Sequence, residues 1–126
     1  MISEGDIYAQ IGEEGFARLV TAFYKQVPAD DILGPMYPVD DLPGAEERLR
    51  DFLIGRFGGP QRYIESRGHP RLRMRHMPFA IGIKERDQWL ACMDQAMGEV
   101  GVDEALRARL RDSFLQTADW MRNTHG

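Results

Sequence analysis

A chain of 126 residues has room for one domain that buries roughly two-thirds of its unfolded surface. Hydrophobic residues make up 43% of it and charged residues of both signs 29%, a mixture that excludes a disordered or low-complexity scaffold. The net charge of -4 gives a mildly acidic surface that repels phosphate backbones, so nucleic acid is not an expected partner, and no run of about 18 apolar residues is present to enter a membrane.

The N-terminal Met1-Ile2-Ser3-Glu4-Gly5-Asp6 lacks a basic stretch followed by an apolar one, so no export signal is expected. Phe16, Leu19, Val20, Phe23, Tyr24 and Val27 then recur at helical spacing and predict an amphipathic helix stopped by Pro28. A connection from Pro28 to Asp41 contains Asp30, Asp31, Leu33, Pro35, Tyr37 and Pro38. The second helix opens after Asp40-Asp41 with Pro43 in an early position, lines up Ala45, Leu49, Phe52, Leu53 and Phe57, and ends at Gly58-Gly59-Pro60. From Gly58 to Pro78 runs a connection of about twenty residues, long for a plain connector, and it holds Arg62, Arg67, Arg71, Arg73 and Arg75. A third helix follows Pro78 and aligns Trp89, Met93, Ala96, Met97 and Val100, and a fourth runs from about Asp103 with Leu106, Leu110, Phe114, Thr117 and Met121 on one face. No alternating strand pattern, repeat or linker interrupts this order, so the expectation is all-α and a single domain over 1–126.

Cys92, the only cysteine, can build neither a disulfide framework nor a four-ligand zinc site, and the cytoplasm is the expected compartment. His76 precedes Met77-Pro78, with Leu72 on its own helical face and Arg71 and Arg75 on another. An apolar surface with one imidazole and a guanidinium rim suits a haem, whose ring is apolar, whose iron accepts a neutral nitrogen and whose propionates need cations. A structural histidine satisfied by its neighbours explains the same residues. Covalent c-type attachment is excluded, since no Cys-x-x-Cys-His occurs. Met74 and Met77 lie too near His76 in sequence to reach the opposite axial position and read as packing, while His69 before Pro70 marks a turn and His125 lies at the chain end. The arginine run reads as a solvated face, an anion or nucleic-acid patch, or a carboxylate-binding rim; Tyr63 is the only aromatic close by, which weakens stacking on a single strand. Tyr24, Tyr37 and Trp89 read as core residues with polar tips, whose donors need partners if buried, and a diatomic ligand is one such partner.

The run from Tyr63 to Met77, Tyr-Ile-Glu-Ser-Arg-Gly-His-Pro-Arg-Leu-Arg-Met-Arg-His-Met, followed by Pro78-Phe79 and Arg86-Asp87-Gln88-Trp89-Leu90, resembles the group II truncated haemoglobins. Phe23-Tyr24, Met36-Tyr37-Pro38, Asp41-Leu42, Ala45-Glu46-Glu47-Arg48-Leu49 and Gly58-Gly59-Pro60 keep the family's order, so the resemblance covers nearly the whole chain. One departure is Ile11-Gly12-Glu13-Glu14, a lone glycine where the family usually has a pair, in a slightly shortened stretch from Tyr8 to Phe16. The packing of the first helix is therefore the expected point of difference.

The resemblance implies a two-over-two helical sandwich around haem b, with His76 as the iron ligand on one side and the helix of Ala45 and Leu49 covering the other. It implies cofactor contacts from Arg48, Leu49, Phe52, Tyr63, Leu72, Arg75 and Phe79, with Arg48, Tyr63 and Arg75 directed to the propionates. Tyr24, Tyr37, Ala45, Leu49 and Trp89 would surround the gas; Ala45 stands where many globins carry a distal histidine, so hydrogen bonding passes to the tyrosines and the indole. The implied function is reversible binding of oxygen and other diatomic ligands at a five-coordinate iron. A redox enzyme oxidising nitric oxide to nitrate or reducing peroxide is the alternative, and it needs a separate reductase because no Gly-x-Gly-x-x-Gly occurs. A haem-free interaction module using the Arg-rich connection on an anionic partner is a remoter reading. Monomer and homodimer both stay open.

Overall fold

Prolines and glycines set the boundaries of the helices in the computed structural model, which describes residues 4–37, 40–71, 74 and 76–124. A 3-10 turn at Glu4–Asp6 leads into α1 (Ile7–Gln26), which gives way at Pro28 to a second such turn, Val27–Ala29. The helix reaches back well beyond the Phe16 stripe because Gly12, at φ 78° and ψ 170°, joins two helical stretches across a kink. Only glycine adopts that conformation readily, so the lone Gly12 makes the kink at the place where the resembling family usually has a pair. Glu13 and Glu14 then open the second stretch, where the helix dipole favours acidic side chains.

Helix α2 (Leu42–Arg56) has Pro43 in its first turn, as its sequence predicts. It ends at Phe57-Gly58, where Gly58 takes φ 101° and a Cβ would fall on the Gly5 carbonyl. The close approach lets the Tyr8 N–H donate to the Phe57 carbonyl at 2.9 Å, tying the start of α1 to the end of α2. Within the long connection lies α3 (Arg62–Arg67), stopped by Gly68 at φ 78°. No regular turn forms at His69-Pro70, where the sequence leads one to expect it; the Arg71 N–H instead donates to His69 Nδ1 at 3.0 Å, and Arg71 itself adopts φ 47°. Met74 and His76 are helical.

Helix α4 (Ile83–Val100) begins later than the position after Pro78 that the sequence leads one to expect. The intervening main chain is engaged elsewhere, since the Phe79 N–H donates to the His76 carbonyl at 3.0 Å and the Ile81 N–H to Asn123 Oδ1 at 2.8 Å. Glu85 then accepts from the Gly82 N–H at 2.7 Å and caps the helix. Gly101, left-handed at φ 74°, closes α4, and Asp103 caps α5 (Glu104–Trp120) by accepting from the Ala105 N–H at 3.2 Å.

Helix α1 packs on α2 and on α4, and α4 packs on α5, which sets one antiparallel pair across the other in a two-over-two sandwich. Phe16, Phe23, Phe57, Met93, Leu110 and Phe114 form the centre of the core. Among the described residues there is no strand, and no helix is long and apolar enough to cross a membrane.

Candidate functional site

A cavity of about 810 Å³ lies between the helix pairs, within the size range of small-molecule and cofactor sites. Every expected site residue that the structure describes lines it: Tyr24 from α1, Tyr37 from the α1–α2 connection, Ala45, Arg48, Leu49 and Phe52 from α2, Tyr63 from α3, His76 and Phe79 from the segment after it, and Trp89 from α4. Helical spacing explains the α2 set, because positions 45, 48, 49 and 52 share one face. Leu72 and Arg75 lie outside the described residues, as do Pro38, Arg73 and His125.

The aromatic side of the cavity is organised around Phe23, fully buried on α1. Its ring lies 5.3 Å from that of Tyr24, 5.5 Å from Trp89 and 6.4 Å from Tyr37, and the two tyrosines meet edge to face at 5.6 Å. Their hydroxyls are committed differently. Tyr24 donates to the Ala45 carbonyl at 3.3 Å, and burial first, then the neighbouring Tyr37, pushes its hydroxyl well above the ordinary value of 10.0. Burial also pushes the Tyr37 hydroxyl up, to about 12, while a hydrogen bond from Trp89 works the other way. The indole has only an N–H donor, so Trp89 donates to the Tyr37 oxygen and leaves the Tyr37 O–H to donate in turn.

His76 is half-buried, and its carbonyl accepts from the Phe79 N–H at 3.0 Å and from Asn123 Nδ2 at 3.3 Å. Met74 and Met77 correct an expectation: read as packing, they are 62% and 55% exposed. The face that carries His76 to the cavity turns residues two before it and one after it away from the interior.

Cationic groups gather on the same cavity. Arg48 pairs with Asp41 at 3.3 Å, and Tyr63 is buried with its ring edge-on to Phe52 at 6.1 Å. Arg56 and Arg86 also line the cavity, and the sequence reading missed both. Arg56 donates to Ser113 at 3.4 Å, and Arg86 pairs with Asp119 at 2.7 Å. Arg56 was recoverable, since it falls one turn beyond Phe52 and two beyond Arg48; Arg86 carries no comparable periodic signal. Asn123 was missed as well, because its partners lie 42 to 47 residues earlier in the chain. Arg62, grouped by sequence with the arginine run, pairs instead with Glu13 of α1.

The sequence profile of the bacterial-like globins matches residues 6–123. A group 2 truncated hemoglobin of Bacillus subtilis is 40% identical over 116 residues, covering 92% of this chain and 87% of that protein. The crystal structure of the group II truncated hemoglobin from Bacillus anthracis superimposes with a TM-score of 0.91 at 39% identity, over 95% of this chain and 92% of that one. A truncated oxygen-avid haemoglobin from Bacillus subtilis gives a TM-score of 0.89 at 40% identity, over 93% of this chain and 98% of that one. With this agreement along nearly its full length, in sequence and in the arrangement of its helices, the chain belongs to the bacterial-like globin family as a group II truncated haemoglobin.

Proposed function

We propose that the chain holds haem b non-covalently in this cavity, with His76 Nε2 as the iron ligand, and binds oxygen and other diatomic gases reversibly. The observation that carries the reading is one imidazole, an apolar lining and several guanidinium groups on a single cavity of about 810 Å³. Those residues fit the group that the globin family implies. Leu49, Phe52, Phe79 and Phe114 suit a flat apolar ring, and Arg48, Arg56 and Tyr63 suit its two carboxylates. The contacts assigned to Leu72 and Arg75 rest on the resemblance.

When bound, haem iron supplies an open coordination position at which a diatomic gas acquires partial negative charge. The protein contributes the surroundings. His76 would present Nε2 to the iron, and a partner on its Nδ1–H would fix the tautomer. Ala45 leaves room, and the Tyr37 hydroxyl, which accepts from the Trp89 indole, is the donor left to meet the charge that develops on the gas. At a net ~1 kcal/mol per hydrogen bond, one such donor slows release roughly fivefold relative to an apolar pocket. That property is in keeping with the similar haemoglobin described as oxygen-avid.

Stopped-flow displacement of oxygen from the ferrous protein tests the reading. Trp89→Phe removes the donor that commits the Tyr37 oxygen and frees its O–H for the cavity, so release is expected to quicken by up to about fivefold. An unchanged rate removes Trp89 from ligand stabilisation.

A further inference from the structure

The imidazole of His76 is carried by a helical residue that lies between α3 and α4. Between the end of α3 at Arg67 and the start of α4 at Ile83, His76, Phe79 and Ile81 line the cavity. The main chain of each of these three residues is held by Asn123, just beyond α5. Asn123 Nδ2 donates to the Phe79 carbonyl at 2.8 Å and to the His76 carbonyl at 3.3 Å, and Oδ1 accepts from the Ile81 N–H at 2.8 Å. The Asn123 N–H adds a bond to the Ile81 carbonyl at 2.8 Å. We infer that Asn123 is a positioning residue for His76: by clamping the main chain on which the imidazole is mounted, it sets the direction in which that ring meets the metal. The inference rests on His76 being the iron ligand.

The chemistry of the clamp selects asparagine. One planar group must offer an acceptor to an N–H and two donors to two carbonyls, which the carboxamide does and a carboxylate or hydroxyl does not. The anchor is itself fixed, because Asp119 in the last turn of α5 pairs with Arg86 of α4 at 2.7 Å and with Arg122 at 3.1 Å. The position of the His76 Cα is thus referred to the α4–α5 pair. Groups that orient a ligand from outside the coordination sphere govern its bond to the metal nearly as strongly as the ligand itself.

Asn123→Asp separates this role from general stability, since it keeps the acceptor for Ile81 and turns carboxylate oxygen toward the two carbonyls. The readouts are the iron–histidine stretching band of the ferrous holoprotein in resonance Raman, the rate of haem loss to a scavenging apoglobin, and thermal unfolding of the haem-free chain. The variant is expected to shift or broaden the band and to lose haem about tenfold faster, on the scale of lost outer-shell support. Asn123→Ala, which introduces no charge, is expected to do the same and serves if the aspartate variant does not fold. Variants that melt earlier yet keep the wild-type band and rate of haem loss overturn the inference and leave Asn123 a structural residue. If the wild type itself lacks a band that His76→Gly abolishes, the reading of His76 fails instead, a distinguishable result.

Discussion

Two tyrosines with touching rings do different work because their hydroxyl hydrogens go to different places. Tyr24 gives its hydrogen to the Ala45 carbonyl, whereas Tyr37 accepts from Trp89 and keeps its own hydrogen for the cavity. Tyr37→Phe should therefore quicken oxygen release about fivefold, the worth of one hydrogen bond of ~1 kcal/mol, and Tyr24→Phe should have the smaller effect in the same stopped-flow measurement. A larger effect at Tyr24 contradicts this assignment. The pH response follows from burial. A tyrosine whose folded value is raised from 10.0 to about 12 stabilises the fold fully below pH 10.0, and that contribution is lost as pH climbs toward about 12. Alkaline unfolding followed by tryptophan fluorescence should accordingly begin at higher pH in Tyr37→Phe than in the wild type. At this scale much was legible: residue type and spacing raised Tyr24, Tyr37, Trp89 and His76 beside an ordinary structural reading, and the family resemblance grouped them around one site. The direction of each hydroxyl was not, because it depends on atoms brought from three separate elements.

The element that carries Tyr37 is the connection between α1 and α2, and Asp30 pins it. One carboxylate oxygen accepts from the Ile32 and Leu33 N–H groups at 2.9 and 2.8 Å, while the other meets Gln88 and Cys92 on α4, beside Trp89. The Leu33 N–H above all holds the Asp30 carboxyl below its ordinary 3.8. A depressed carboxyl stabilises the fold above that value and ceases to as pH falls through its lower folded value. Asp30→Ala is expected to lower stability at neutral pH by about 1 kcal/mol, as loss of a capping carboxylate does, and the difference to shrink as pH falls below 3.8; urea unfolding at pH 7 and at successively lower pH measures both. Gly12→Ala tests the kink in α1. Nothing lies within 4 Å of a Cβ there, so any loss comes from forcing φ 78° on an alanine, about 1–3 kcal/mol. Helical periodicity made the bodies of α1, α2, α4 and α5 legible, with proline and glycine marking most of their ends. It failed at the start of α4, where Phe79 and Ile81 bond to His76 and to Asn123 rather than to a following turn. The contacts to Asn123, 42 and 44 residues along the chain, leave no local pattern to read.

For the whole molecule, the cavity is walled by residues of both helix pairs, so whatever occupies it links α1 and α2 to α4 and α5. A cofactor bound only by the folded chain stabilises it by mass action, about 2.7 kcal/mol at a hundredfold excess over its dissociation constant. The melting temperature of the haem-free chain should rise on titration with hemin, and a flat response speaks against a preformed site. The most direct measurement is the visible spectrum of chain reconstituted with hemin, wild type beside His76→Gly. After reduction with dithionite the wild type should show a ferrous spectrum of histidine-ligated haem; the variant should lose that signature and bind pigment weakly until free imidazole restores both. A His76→Gly chain that keeps the wild-type spectrum and affinity without imidazole contradicts the assignment of the iron ligand and the site built around it.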